Sequence, residues 1–352
     1  MKNDRIDKNS QTVTAGLLKG TPWSIVAVCL VVLPLVCFFV SICLGQYSLP
    51  LDKVLRILLS PVVTLEENWK PVEYKLVWLI RLPRLVAAMF VGGSLALAGA
   101  CFQGLFRNPL ADAYTLGVSN GAGFGAALGI LLYNKPLFVQ LMALIFGLLA
   151  VALTFFVRSG TDRSGVSFVL GGVIVGAFFS ALISLIKFVA DTEDQLPAIV
   201  YWLMGSLAAV NRDSLLWTLP FFILSIILLM CYRWRLNLMS LGDEEAMSFG
   251  VNIHRDREIV IIISTIMTAC AVSISGIIGW VGLLIPHLVR SLVGADYRRL
   301  LPACLSVGAS YMVIIDNICR LISEEEIPLG IVTALVGTPV FIYFMKRDKV
   351  RW

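Results

Sequence analysis

At 352 residues, 58% of them hydrophobic and only 14% charged, with a mean hydropathy of +0.87, the chain falls well short of the roughly one quarter of charged residues found in water-soluble domains. A soluble fold is excluded, and the length permits many membrane crossings, since each needs about 20 apolar residues to cover ~30 Å of hydrocarbon. The net charge of +5 comes from Lys and Arg set between apolar runs, with no basic patch interleaved with aromatics, so it speaks for membrane orientation and against nucleic-acid binding.

Charge-free windows predict the elements in chain order: 20–51, 85–106, 113–134, 136–157, 164–186, 195–211, 214–232, 259–289, 300–315 and 327–345. The first is too long for a signal-peptide core and lacks a small-residue cleavage site, so it reads as a retained span behind a tail over 1–22. The segment 46–80 mixes charges of both signs with Pro50, Pro61 and Pro71 and predicts a small cap on the far side. The window 195–211 is short, carries Pro197 and Gly205, and reads as an interfacial or re-entrant helix. As one helix, 259–289 would run about 46 Å. Its Ser275-Gly276, Gly279, Gly282 and Pro286 predict one full span and the start of another. One demotion and one split leave ten spans.

Short cytoplasmic loops should hold Lys and Arg. With the N-terminus inside, the inner connections hold Arg107, Arg158 with Arg163, Arg233 with Arg235, then Arg290, Arg298 and Arg299, and the tail from Lys346 to Arg351. The short outer ones hold Asp191, Glu193 and Asp194, then Glu324, Glu325 and Glu326. Counting 195–211 as a span would turn the most basic loops outward. Both termini are therefore expected in the cytoplasm.

Chemistry is mostly conspicuous by its absence. The nearest approach to a phosphate-cradling loop, Gly171 to Gly176, is followed by Ala177 and Phe178 in place of Lys and Ser or Thr. The chain is not expected to hydrolyse ATP. Its two histidines, His254 and His287, lie on different predicted segments, with no metalloprotease or serine-hydrolase motif. The eight cysteines lack C-x-x-C spacing and fall mostly in apolar runs, so they read as small buried hydrophobes. No metal site, catalytic residue or resident cofactor is expected.

The inner loop 236–257 is longer than a hairpin needs and predicts a short helix. Ser240 with Asp243 makes a capping-box pattern, Asp243, Glu244 and Glu245 suit a helix N-terminus, and Gly250 suits a left-handed end. Leu241, Ala246, Met247 and Phe249 would form an apolar knob. Asp316 and Arg320 stand four apart in the ninth span, where isolated charges are expensive, and should face each other as a structural pair. Glycines at 92–93, 117–129, 171–176 and 276–282 allow close helix approach.

As a set, these residues resemble the permease subunits of binding-protein-dependent ABC importers for iron-siderophores, haem and cobalamin. The resemblance rests on Arg81-Leu-Pro-Arg84, Asn108-Pro-Leu-Ala-Asp112, Leu116-Gly-Val-Ser-Asn-Gly-Ala122, Leu241-Gly-Asp243 with Gly250, the run from Gly279 to Arg290, and Ile327 to Ala334. It covers about residues 80 to 345. It implies an all-α polytopic type II importer permease of about ten transmembrane helices, one permease domain spanning 1–352, with inverted repeats in spans two to five and seven to ten. It implies a homodimer in a bacterial inner membrane, two ATPase subunits inside that bind ATP and Mg, and a substrate-binding protein outside. By the same resemblance Leu241, Gly242, Asp243, Glu244, Glu245, Ala246, Met247 and Gly250 couple to the ATPase. Arg81, Arg84 and Arg320 would dock the binding protein, and Gly171, Gly172, Gly176, Ser180 and Ser184 would line the path. An iron chelate is the favoured cargo. The alternatives are an ion-coupled secondary transporter, which should place carboxylates at mid-membrane, and a non-transporting scaffold, which needs no coupling helix.

Overall fold

The computed structural model describes residues 21–63, 66, 68–158, 165–241, 243–250, 252–323 and 325–347, and among these there is no strand. The helices are α1 (Trp23–Cys43), α2 (Leu51–Leu59), α3 (Pro71–Phe106), α4 (Val118–Leu132), α5 (Pro136–Arg158), α6 (Gly165–Val189) and α7 (Gln195–Met204). They continue as α8 (Arg212–Leu241), α9 (Asp243–Ser248), α10 (Ile253–Ser275), α11 (Val281–Val293), α12 (Tyr297–Ile322) and α13 (Leu329–Arg347). Each of the ten expected spans carries a helix. Seven are long and apolar enough to cross a membrane, whereas Val118–Leu132, Val281–Val293 and Leu329–Phe344 are shorter. At 15 and 13 residues α4 and α11 reach only ~20 Å at 1.5 Å per residue. Each is the second member of its four-helix group, α3–α6 or α10–α13, a correspondence that fits the expected repeat.

The division of 259–289 falls at Gly276–Trp280, between α10 and α11, and α7, with 10 residues, is too short to span. These two breaks meet a third. Ser206 N donates to Ser275 O at 2.8 Å, and Leu329 N donates to Gly205 O at 2.9 Å, so the ends of α7 and α10 and the start of α13 satisfy one another's backbone. Irregular backbone at membrane depth is stable only where protein or a water-filled cavity meets its polar groups.

The centre of the molecule is α3, which packs on α12, α10, α11 and α8. Two glycine contacts set its spacing. A Cβ on Gly92 would lie 2.2 Å from Gly308 O on α12, and one on Gly99 would lie 2.0 Å from Gly282 O on α11. Backbone meets backbone at both, as in small-residue membrane interfaces. By contrast α1 leaves Val28, Val31 and Val36 more than half exposed, as a lipid-facing helix does.

The described residues of the 46–80 segment include α2 and the first turns of α3, joined by side-chain contacts. Their hub is Glu73, 3% exposed, which accepts from Lys53 Nζ at 3.0 Å, Tyr47 Oη at 3.0 Å and Lys70 N at 2.8 Å. Within α3, Leu76–Arg81 form a π-helical stretch. It widens the helix just before Pro83, which has no N–H to give to the preceding turn.

Candidate functional site

Four charged side chains form a network between α3, the last turns of α12 and the segment that follows α12. Arg84 holds Asp316 at 2.9 Å through Nη2 and Glu326 at 2.7 Å through Nη1. On the other side Asp316 meets Arg320 Nε at 3.1 Å, one helical turn on. The expected Asp316–Arg320 pair is therefore present, with Arg84 added. Two cations face two carboxylates, so the network is charge-balanced, and Asp316 is 0% exposed. Arg320 also donates to Ser41 Oγ at 3.2 Å and to Asn317 Oδ1, tying α12 to α1.

Arg81 and Arg84, expected to project toward a partner, are turned inward at 4% and 7% exposed. Arg81 donates to Ile42 O at 2.7 Å and to Tyr47 O. The last carbonyls of a helix lack intrahelical donors, and Arg81 supplies one for α1. The partner that sequence reasoning missed is Glu326. Its only signal was the acidic run 324–326, read there as an outer loop; Glu324 lies outside the described residues.

In the inner loop, α8 continues to Leu241, so Ser240 is a helical residue whose Oγ donates to Asn237 O at 2.7 Å. The expected capping box does not form, because Ser240 lies inside α8 and the short helix opens only at Asp243. Gly250 takes the expected left-handed backbone, φ +76°, and its N–H donates to Met247 O at 2.9 Å. Gly242 lies outside the described residues, and Asp243 and Glu244 open α9. The apolar knob is smaller than expected. Ala246 is 0% exposed and packs into the core, while Leu241, Met247 and Phe249 are each more than half exposed. Two side-chain contacts brace this lobe: Arg235 with Asp256 at 2.6 Å, and Asn237 with Asp296 at 2.7 Å.

The five residues assigned to the path divide between two faces of α6. Gly171, Gly172 and Gly176 are buried against the chain itself, and a Cβ on Gly172 would stand 2.1 Å from Thr115 O. Asn120 Nδ2 donates to Gly176 O at 3.0 Å. Gly172 and Gly176 let α6 close on α4 and its preceding loop, while Gly171 lies against Thr154 of α5. Ser180 and Ser184 sit on the exposed face with Val173, Ile174 and Phe178. None of the five lines the cavity of about 630 Å³ beside the Gly276–Trp280 break, whose walls include Asp112, Tyr114, Leu203, Trp280 and Ile331. Trp280 has φ +71°, a conformation L-residues rarely adopt.

Asp112, 8% exposed, accepts from Tyr114 N at 2.9 Å and Thr115 N at 3.1 Å. Burial pushes its carboxyl up to about 6, against the opposing pull of those two N–H donors. His287 packs between Phe341 and Phe344. No group of three or more metal-ligating side chains occurs among the described residues.

Residues 31–347 match the FecCD transport family. The molybdate import system permease MolB of Haemophilus influenzae is 43% identical over 315 residues, covering 88% of this chain and 92% of that protein. The vitamin B12 import system permease BtuC of Klebsiella pneumoniae is 35% identical over 327 residues, covering 92% and 93%. A solved structure of an inward-facing metal-chelate type ABC transporter superposes with a TM-score of 0.83 at 39% identity, over 92% of this chain and 100% of that one. With the sequence, the all-helical architecture and these relatives in agreement, the chain belongs to the FecCD family of ABC importer permeases.

Proposed function

We propose that the chain works as one half of a homodimeric permease in a bacterial cytoplasmic membrane, with both termini inside. Two ATPase subunits bind ATP and Mg on the cytoplasmic face, the permease itself holds no cofactor, and a binding protein delivers the solute from outside. The cargo is a metal-bearing solute. The sequence resemblance favours an iron chelate, and the relatives add molybdate and vitamin B12, so cargo identity is set by the binding protein. The observation that carries ATP coupling over ion coupling is the state of Asp316, an intramembrane acid already neutralised by Arg84 and Arg320. A carboxylate already paired with two guanidinium groups is not the unpartnered mid-membrane acid that ion coupling should show.

The α8–α9 lobe is the coupling element in this reading: capped by Gly250, braced through Asn237 and Asp256, and offering Leu241, Met247 and Phe249 to the ATPase. The solute path runs along the exposed face of α6, with Ser180 and Ser184, and past the Asp112–Trp280 cavity. For Arg84 and Arg320 to dock the binding protein, they exchange an internal carboxylate for one from the partner. Glu326, whose side chain is 30% exposed, is the one able to leave. Reconstitution in proteoliposomes tests the reading. Uptake that requires the ATPase, the binding protein and ATP is expected, and uptake driven by a proton or sodium gradient alone overturns it.

A further inference from the structure

Helix α2 divides into three sectors. At about 100° per residue, Leu51, Leu55 and Leu59 share one sector, Asp52, Lys53, Arg56 and Ser60 the next, and Val54, Ile57 and Leu58 the third. Each sector has a different surrounding. Val54 and Ile57 are 0% exposed, whereas Leu51, Leu55 and Leu59 are 49%, 38% and 51% exposed. The apolar arc is twice as wide as the protein covers. Beyond the helix end Val62 and Val63 extend it at 85% and 46% exposed.

Rolling the leucines inward is prevented on both sides. Lys53 is held by Glu73 at 3.0 Å, and Trp78 Nε1 donates to Ile57 O at 3.1 Å. The helix also has a fixed height: Leu49 N donates to Cys43 O at 3.1 Å, so α2 begins where the first span ends. Aromatic side chains with polar tips gather at membrane interfaces, and Tyr47 and Tyr74 stand here at 51% and 38% exposed.

We propose that α2 is an interfacial anchor lying in the outer bilayer surface. Leu51, Leu55 and Leu59 enter the boundary between headgroups and acyl chains, Asp52, Arg56 and Ser60 face water, and Val54 and Ile57 rest on the protein. A helix with contiguous apolar and charged sectors takes that position. The occupant of the leucine face is lipid. Three partly exposed leucines offer far less than the ~800 Å² per partner that a stable protein interface covers.

The inference rests on the bilayer placement proposed above, and the test separates the two. Single cysteines replace Leu55, Leu59, Arg56 and, as a control in α1, Val31, in a chain whose Cys29, Cys37, Cys43 and Cys231 are serine. Spin labels on them are read in phosphatidylethanolamine–phosphatidylglycerol liposomes with dissolved oxygen and a water-soluble nickel chelate as collision partners. Labels at 55 and 59 are expected to favour oxygen several-fold over the label at 56. Nickel-accessible labels at 55 and 59 beside an oxygen-accessible label at 31 overturn the anchor, as does shielding of 55 and 59 from both probes, which would mean protein cover. A nickel-accessible label at 31 overturns the bilayer placement itself.

Discussion

Arg84 and Asp316 stand 232 residues apart and join their helices through an ion pair of 2.9 Å in which Asp316 is completely buried. Removing one member of a buried pair strands the other's charge and costs ~3–5 kcal/mol, whereas replacing the set with apolar residues of similar volume is often neutral. Asp316→Asn leaves two cations facing one carboxylate. It is expected to lower stability by that amount in a detergent thermal melt, while Arg84→Met with Asp316→Leu and Arg320→Met recovers most of the loss. An Asp316→Asn melt indistinguishable from wild type would mean that the network does not brace this end.

Glu326 belongs to the same network but not to the same environment. Its side chain is 30% exposed against 0% for Asp316, and a partly solvated pair contributes only ~0–1 kcal/mol. Glu326→Gln should barely move the melting temperature. It frees one face of the Arg84 guanidinium, so binding of the cognate binding protein at low salt should tighten several-fold. Unchanged affinity would show that Arg84 stays internal when the partner docks.

The span boundaries and the Gly276 break were legible because apolar runs and helix-breaking residues act locally. The division of 259–289 and the demotion of 195–211 needed only length and Gly or Pro positions. What stayed hidden was partnership across the chain. Nothing local to Arg84 announces Asp316 or Glu326, and an arginine at a span boundary reads alike whether it points outward or inward. Ala246 misled for a related reason: in a helix of 6 residues periodicity is too short to say which face is buried. The glycines of α6 were correctly read as permitting close approach, but their face could not be told from that of the serines until α4 was in place.

Ala246 and Met247 now separate fold from function. They are neighbours in α9, one 0% and the other 53% exposed. Met247→Glu should leave expression and melting temperature unchanged while abolishing co-purification of the ATPase. Ala246→Glu buries an unpaired charge and should lower the yield of folded protein. If Met247→Glu retains full ATPase association and ATP-driven uptake, the exposed knob is not the coupling surface.

Asp112 predicts a pH dependence whose direction is set by burial. Its carboxyl titrates near 6 in the folded chain, against an ordinary value of 3.8, so the folded state holds its proton more tightly than the unfolded state. The contribution of this one carboxyl to stability is therefore fullest below about pH 4 and is lost as pH rises toward 6, by on the order of 3 kcal/mol for a shift of this size. Asp112→Asn removes the titration. Both N–H donors, from Tyr114 and Thr115, reach the single oxygen Oδ1, which an asparagine keeps. Thermal melts between pH 4 and 7 should show the wild-type decline and a flatter profile for Asp112→Asn. Parallel profiles would place the proton elsewhere.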